Sequence, residues 1–482
     1  MFWRGLIGYL PVNIVQALAG FGAIVAFTRL LTPEQYGDYA LGFSVSSLTS
    51  TCLFTWLEAA MGRFYIAEQT NNGRQALYGT LYRTFALMAV IVPATAGAVL
   101  AFLPLTPELR IAVVSGILAT ITRSLLKLAQ ERRRAAGLVA GFAVLDIAQT
   151  SGAFLIGLAL AVLGFGGGAP LAGIGIASAL CLIFALPSEL KMAGKGRFDG
   201  KRLRSYASYG MPITLSLLMS LAIANTDRFV IAAYMGPGAV GAYHAGYSLA
   251  NRTLDVMFIW LGMAGGPAAI AALERGGMVA LKKVARDQAS LMLLIALPAA
   301  AGLALVARPL AQLMVGPALS TEAAGVTVWI AASATFAGVT TYYFHTAFTL
   351  SRQTLRMLIA MAIPATVNLA LTLLLIPKFG LQGAMWATTA SYAIGLVASA
   401  LIGRSCITLP IPWGALGRIM TATLVMTLMV QLVPASGGFL ELCCKALVGV
   451  STYGVAAFAL DAAHLRQNLS RLLRTGRLEF SA

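Results

Sequence analysis

The sequence predicts an all-α polytopic membrane protein. About fourteen transmembrane helices form two parallel six-helix lobes around a central cavity, with two further helices at the C-terminal end. Three observations predict this. The chain has 482 residues, of which 59% are hydrophobic and 11% charged, against about 25% charged in soluble domains. Apolar runs of about 20 residues, the length that crosses a hydrocarbon core about 30 Å thick, follow one another along nearly the whole chain. Residues 32–48 (TPEQYGDYALGFSVSSL) are echoed by 236–252 (GPGAVGAYHAGYSLANR) at a shift of 204. The echo pairs Pro33 with Pro237, Gly37 with Gly241, Tyr39 with Tyr243, Gly42 with Gly246 and Ser44 with Ser248. Duplicated bundles are a common body plan of secondary transporters.

Taken in order, the first six runs are 6–28, 39–60, 79–103, 109–128, 138–163 and 170–190. The next six are 207–235, 241–263, 287–307, 321–345, 354–376 and 381–403, and the last two are 413–433 and 439–461. Runs of this length exclude an outer-membrane barrel, whose strands need only about ten alternating residues. The first run is long and leads straight into the first hairpin without a small-residue cleavage site, which reads as a span rather than a cleaved signal.

The organisation follows from these runs. Residues 1–190 form an N-terminal lobe and 191–206 a basic cytoplasmic linker (KMAGKGRFDGKRLRSY). A C-terminal lobe covers 207–403, two appended spans cover 404–461, and a basic cytoplasmic tail covers 462–482. Six spans per copy is an even number, so both copies enter the membrane in the same direction. A weaker echo links LAGIGIASAL at 171–180 with LQGAMWATTA at 381–390, both opening the last helix of a lobe. In the tail, Leu465, Leu469, Leu472 and Leu473 among four arginines have the spacing of a basic amphipathic helix on an anionic leaflet.

The formal charge of +17 does not indicate nucleic acid, because its distribution follows the membrane. With both termini cytoplasmic, 27 of the 34 Lys and Arg residues fall on the cytoplasmic side, four on the other and three within spans. This is the positive-inside pattern of a multi-pass membrane protein. Arg123 and Lys127, near the end of the fourth run, belong to the cytoplasmic set. The five cysteines match no metal spacing or disulfide framework. There is no P-loop, HExxH or GxSxG motif, so no catalytic residue, metal or cofactor is assigned, and the chain is expected to be a transporter rather than an enzyme.

Charges within spans are costly and mark partners or pathways. Arg252 lies about eleven residues, roughly 16 Å at 1.5 Å per residue, into the eighth run. Asp255 follows on the same face and Asn251 precedes it. Asp227 and Arg228 sit in the outer half of the seventh run, with Asn225 nearby. Two readings stand for this group. Arg252, Asp255, Arg228, Asp227, Asn251 and Asn225 line a cavity for a pyrophosphate and sugar, which suits the guanidinium fork; or Arg252 with Asp255 and Asp227 with Arg228 are internal ion pairs. Asp146 in the fifth run and Glu58 in the second are candidate carriers of a coupling proton or sodium ion. At the shift of 204, Arg252 falls on Leu48 and Asp227 on Ala23, so the copies differ in charge.

Three segments carry a family resemblance. TRLLTPEQYGDYAL at 28–41 resembles the first external turn of bacterial polysaccharide flippases of the O-antigen type. TDRFVIAAYMGPGAVGAYHAGYSLA at 226–250 resembles the matching segment of their second half. NLALTLLLIPKFGLQGAMWATTASY at 368–392, with Pro377, Gly380, Gly383, Ala387, Thr388 and Tyr392, resembles their span eleven to twelve signature. The resemblance implies transfer of undecaprenyl-pyrophosphate-linked oligosaccharide across the inner membrane by alternating access, for exopolysaccharide, capsule or O-antigen assembly. It implies a coupling H+ or Na+, membrane lipids, and a polysaccharide polymerase and chain-length regulator as partners. The alternatives are a cation-coupled drug extruder or a lipid II flippase of the same superfamily. The first span lacks the arginines that lipid II flippases carry. A membrane glycosyltransferase would need long external loops with acidic residues, and none is present.

Overall fold

A computed structural model describes residues 2–68 and 70–466, and among these every regular element is helical. The helices are α1 (Phe2–Leu30), α2 (Pro33–Ala67), α3 (Asn71–Phe102), α4 (Pro107–Ala135), α5 (Val139–Val162), α6 (Ala169–Lys195) and α7 (Gly200–Met235). The stretch Pro237–Leu305 breaks at Gly277, where φ is 64°, into α8 (237–276) and α9 (278–305). A short helix, Ala307–Met314, leads to α10, Pro317–Leu350, which contains a π-helical turn at Thr340–Phe344. Thr354–Arg404 breaks at Gly380, where φ is 57°, into α11 (354–379) and α12 (381–404). Trp413–Gln431 and Gly438–Ala459 are α13 and α14. Twelve stretches among the described residues are long and apolar enough to cross a membrane. The two glycine breaks turn these into fourteen rods, the expected number. Leu469, Leu472 and Leu473 of the expected tail helix lie outside the described residues.

Local signals place the ends. Thr32 and Gln35 form a reciprocal capping box with Pro33 in the first turn of α2. Thr70 caps α3, Thr106 caps α4 and Asp199 caps α7. Gly277 and Gly380 adopt left-handed φ, which glycine enters without steric cost. Several helices outrun their apolar runs, because the polar residues flanking a run still favour helix and nothing in them stops it.

The chain forms two compact units, residues 1–244 and 245–482. In the first, α2 lies against α4 along a stripe of small residues. A Cβ at Gly116 would sit 2.8 Å from the Gly42 carbonyl. One and two turns further on, Ser46 bonds Thr120 (2.6 Å) and Ser50 bonds Ser124 (3.1 Å). Small residues are what hold helices in lipid, where hydrophobicity gives no drive to associate. The first and second echoed segments also meet within this unit. A Cβ at Gly37 would overlap the Pro237 carbonyl, and one at Gly241 would sit 2.5 Å from the Pro33 carbonyl. The contact is reciprocal: each copy's glycine rests on the other copy's proline. His244 packs among the rings of Tyr36, Tyr39 and Phe43 beside it.

The second unit repeats the first helix pairing. Gly246, the counterpart of Gly42, admits the Ala323 carbonyl of α10 where its Cβ would be. Thr327 donates to the Gly246 carbonyl at 3.3 Å. Gly173 rests on the Gly157 backbone, and Gly383, its partner in the weaker echo, rests on Leu375. Further along α8, Phe258 fills the space over Gly338 and Tyr342 that over Gly262, with the two rings stacked at 6.2 Å.

At the basic end of the first unit, Glu189 is 1% exposed and pairs with Arg132 (2.5 Å) and Arg133 (3.3 Å), while Tyr82 donates to it at 3.2 Å. Removing one partner of a buried ion pair strands the other. Glu189→Ala is therefore expected to cost about 3 kcal/mol or more, read as a lowered melting temperature of the purified protein. A melt within one degree of wild type would remove the triad from the account of stability.

Candidate functional site

In the first unit, α4 carries Arg123, Lys127 and Glu131 at four-residue spacing, with Arg134 a turn beyond, so all four lie along one stripe. Arg123 is sixteen residues from Pro107, about 24 Å along the helix. The sequence places it near the end of the fourth run and counts it in the cytoplasmic set. The helix continues to Ala135, which makes Arg123 an internal position. Among the described residues Arg123 has no hydrogen-bond or ion-pair partner. The carboxylates of Asp146 on α5 and Glu58 on α2 act on it electrostatically. Asp146 accepts from Gln16 of α1 at 2.7 Å and from Gln130 of α4 at 3.4 Å. This carboxylate is thus held by two neutral amides, and Glu58 has one oxygen buried without a partner among the described residues.

Toward the basic end, α2, α4 and α7 border an open cavity of about 430 Å³ whose lining includes Glu58, Gly62, Arg63, Glu131, Arg134 and Tyr209. Glu131 pairs with Arg134 at 2.7 Å. Small residues at Ala59 and Gly62 keep the α2 wall low; a Cβ at Gly62 would sit 3.4 Å from the Glu131 carboxylate.

Asn225, Asp227 and Arg228 lie elsewhere in the same unit, at 3%, 0% and 4% exposure. Asp227 accepts from the Tyr243 hydroxyl and from the Arg228 backbone N–H (2.9 Å). The Arg228 guanidinium donates to Asn225 (2.5 Å) and Ser44 (3.4 Å). The side chains form a buried network that also takes in Tyr243 and Ser44. Helical spacing identified these residues as internal and left their partners open.

In the second unit, Asn251, Arg252 and Asp255 share one face of α8. Arg252 and Asp255 are exposed. Asp255 accepts from Asn251, not from Arg252. The Arg252–Asp255 ion pair, one of the two readings of this group, does not form, and among the described residues the Arg252 guanidinium has no partner. It lies fifteen residues from Pro237, about 23 Å along α8. In each unit, then, an arginine without a partner among the described residues lies well inside a long apolar helix, Arg123 on α4 and Arg252 on α8. Sequence spacing found Arg252 and missed Arg123, whose only signal was that its helix could continue through the arginines that follow. His345, the last residue of the tenth apolar run, is buried and lies 3.3 Å from Ser399. Among the described residues no group of three or more His, Cys, Asp or Glu could hold a metal ion, and all five cysteines are free thiols.

Long apolar helices joined through small residues, with charged groups inside them, define a polytopic α-helical membrane protein. The chain belongs to the polysaccharide biosynthesis protein family, whose sequence model matches residues 26–324. Among solved structures, it is similar to the lipid II flippase MurJ in an inward closed conformation, with a TM-score of 0.76 at 13% identity, covering 93% of this chain and 98% of that one. It is similar to an inward-facing multidrug resistance MATE family transporter of the MOP superfamily, with a TM-score of 0.67 at 13% identity, covering 81% and 93%. A MATE transporter in complex with MaD3S gives a TM-score of 0.57 at 14% identity, covering 83% and 94%. At these identities the likeness speaks to the fold. Comparison with curated proteins gives no match.

Proposed function

We propose that this protein is a flippase for undecaprenyl-pyrophosphate-linked oligosaccharide. It moves repeat units from the cytoplasmic to the periplasmic leaflet of the bacterial inner membrane, by alternating access, for exopolysaccharide, capsule or O-antigen assembly. Both termini are cytoplasmic. The observation that carries the reading is that Arg123 on α4 and Arg252 on α8, well inside long apolar helices, have no partner among the described residues. A guanidinium in an apolar span without a carboxylate partner is expensive, and an anionic ligand is the natural compensation. Arginine suits a pyrophosphate because its fork bonds two oxygens at once. The same feature disfavours extrusion of cationic drugs, which needs net negative walls. Asp255, held by Asn251 beside Arg252, positions that face. The buried Asn225–Asp227–Arg228 network holds helices together. Asp146 and Glu58, close to Arg123, are the carboxylates we assign to a coupling proton or sodium ion. A polymerase and a chain-length regulator are the expected downstream partners.

Deletion of the gene tests the reading. Lipid-linked repeat units are expected to accumulate on the cytoplasmic leaflet while surface polysaccharide falls. Unchanged surface polysaccharide together with altered sensitivity to cationic drugs would replace the flippase by an extruder.

A further inference from the structure

We propose that the 430 Å³ cavity at the basic end of the first unit is a saccharide subsite, which takes the sugar rings nearest the pyrophosphate while Arg123 takes the pyrophosphate itself. This rests on the flippase reading and adds to it the part of the substrate that the cavity recognises.

The lining selects the ligand class. Glu58 and Glu131 accept hydrogen bonds, while Arg63 and Arg134 donate them. Formal charge across these four cancels. A second phosphate group would face two carboxylates, and a greasy ligand would face four charged side chains with Ile66 as the one large aliphatic side chain of the lining. A polyhydroxylated ring satisfies both sets of groups, since each hydroxyl donates and accepts. The Tyr209 side chain, 41% exposed, supplies a flat apolar surface for the C–H face of a pyranose. The buried Glu58 oxygen without a partner is an acceptor that a sugar hydroxyl would satisfy, relieving a desolvation cost. The volume falls within the range of small-molecule pockets, ~300–1,000 Å³.

The spacing agrees with a glycan linked through pyrophosphate. Arg123 and Glu131 are eight residues apart on one stripe of α4, or about 12 Å. Lys127 lies between them, and its charge acts on Glu58. A cationic step therefore leads from a mixed-charge cavity to an unpaired guanidinium. A diphosphate with a sugar attached presents the same order: anionic at one end, neutral and hydroxyl-rich at the other.

The test uses the full-length protein in lipid nanodiscs and two probes: undecaprenyl pyrophosphate, and the same lipid carrying a disaccharide. Wild type is expected to bind the glycosylated lipid at least about tenfold more tightly, the worth of one charge-assisted hydrogen bond. Gly62→Leu, which fills the cavity, and Tyr209→Ala, which removes its flat wall, are each expected to bring the two affinities together. Arg123→Ala is expected to weaken both probes alike. Should Gly62→Leu fail to fold, Tyr209→Ala decides. Variants that keep the wild-type margin would overturn the saccharide subsite and leave the flippase reading standing. A wild type that binds neither lipid would overturn the flippase reading itself.

Discussion

Arg252→Ala is expected to abolish most export while leaving the protein folded, and Arg252→Lys to restore part of the lost rate. The first half follows from what Arg252 lacks. Its head group is exposed and bonded to no described residue, and Asp255 is held by Asn251. Truncation therefore strands no partner and opens no cavity in the packing. Such substitutions shift stability by only about 0.5 kcal/mol. The second half follows from what a pyrophosphate would lose. Two charge-assisted hydrogen bonds at ~1.5 kcal/mol each correspond to about a hundredfold. Lysine supplies the charge but not the fork, so partial activity is the expected outcome. Surface polysaccharide and transport into proteoliposomes would be measured beside a thermal melt. Wild-type export by Arg252→Ala would remove the arginine from the substrate path.

Gly37→Ala and Gly241→Ala are expected to destabilise the fold by about 3 kcal/mol each, the upper range for overpacking a filled site. At both positions the new methyl group would meet a backbone carbonyl, of Pro237 or of Pro33. A side chain can swing aside, whereas a helix carbonyl moves only with its helix. Both carbonyls belong to the first residues of long helices, and that of α2 is also held by the Thr32–Gln35 capping box, so little slack is available. Gly97→Ala and Gly302→Ala serve as controls, because a Cβ there meets nothing within 4 Å. Melting temperatures of Gly37→Ala and Gly97→Ala that coincide would show that the crossing yields, and that the reciprocal contact is not tight.

Much of the fold was legible because membrane helices are written in long apolar runs. The break between the eleventh and twelfth runs was marked by Pro377 and Gly380, and the chain turns at Gly380. The echo of Pro33, Gly37 and Gly42 in Pro237, Gly241 and Gly246 was visible as spacing. Its meaning, that the two copies touch each other glycine to proline, was not. Nor was the Ser46–Thr120 and Ser50–Ser124 ladder, since small hydroxyl residues look alike whether they face a neighbour or lipid. The charged residues were found by their rarity, but their partners were not. Asp227 and Arg228 are adjacent in sequence, yet Tyr243, Asn225 and Ser44 take their side chains. Arg252 and Asp255 share a face, yet Asn251 claims the carboxylate.

The sequence by itself determined the membrane class, the number of helices, the duplication and the short roster of internal charges. Each of these is a property of composition or of spacing along one helix. Only the tertiary structure decided which charges are paired. It buried Asn225, Asp227 and Arg228 in a hydrogen-bonded network, left Arg123 and Arg252 without partners among the described residues, and joined Glu58 and Glu131 across two helices around a cavity. The reason is physical. Helical periodicity specifies the face on which a side chain stands, while hydrogen bonding depends on what another helix brings to within about 3 Å of it.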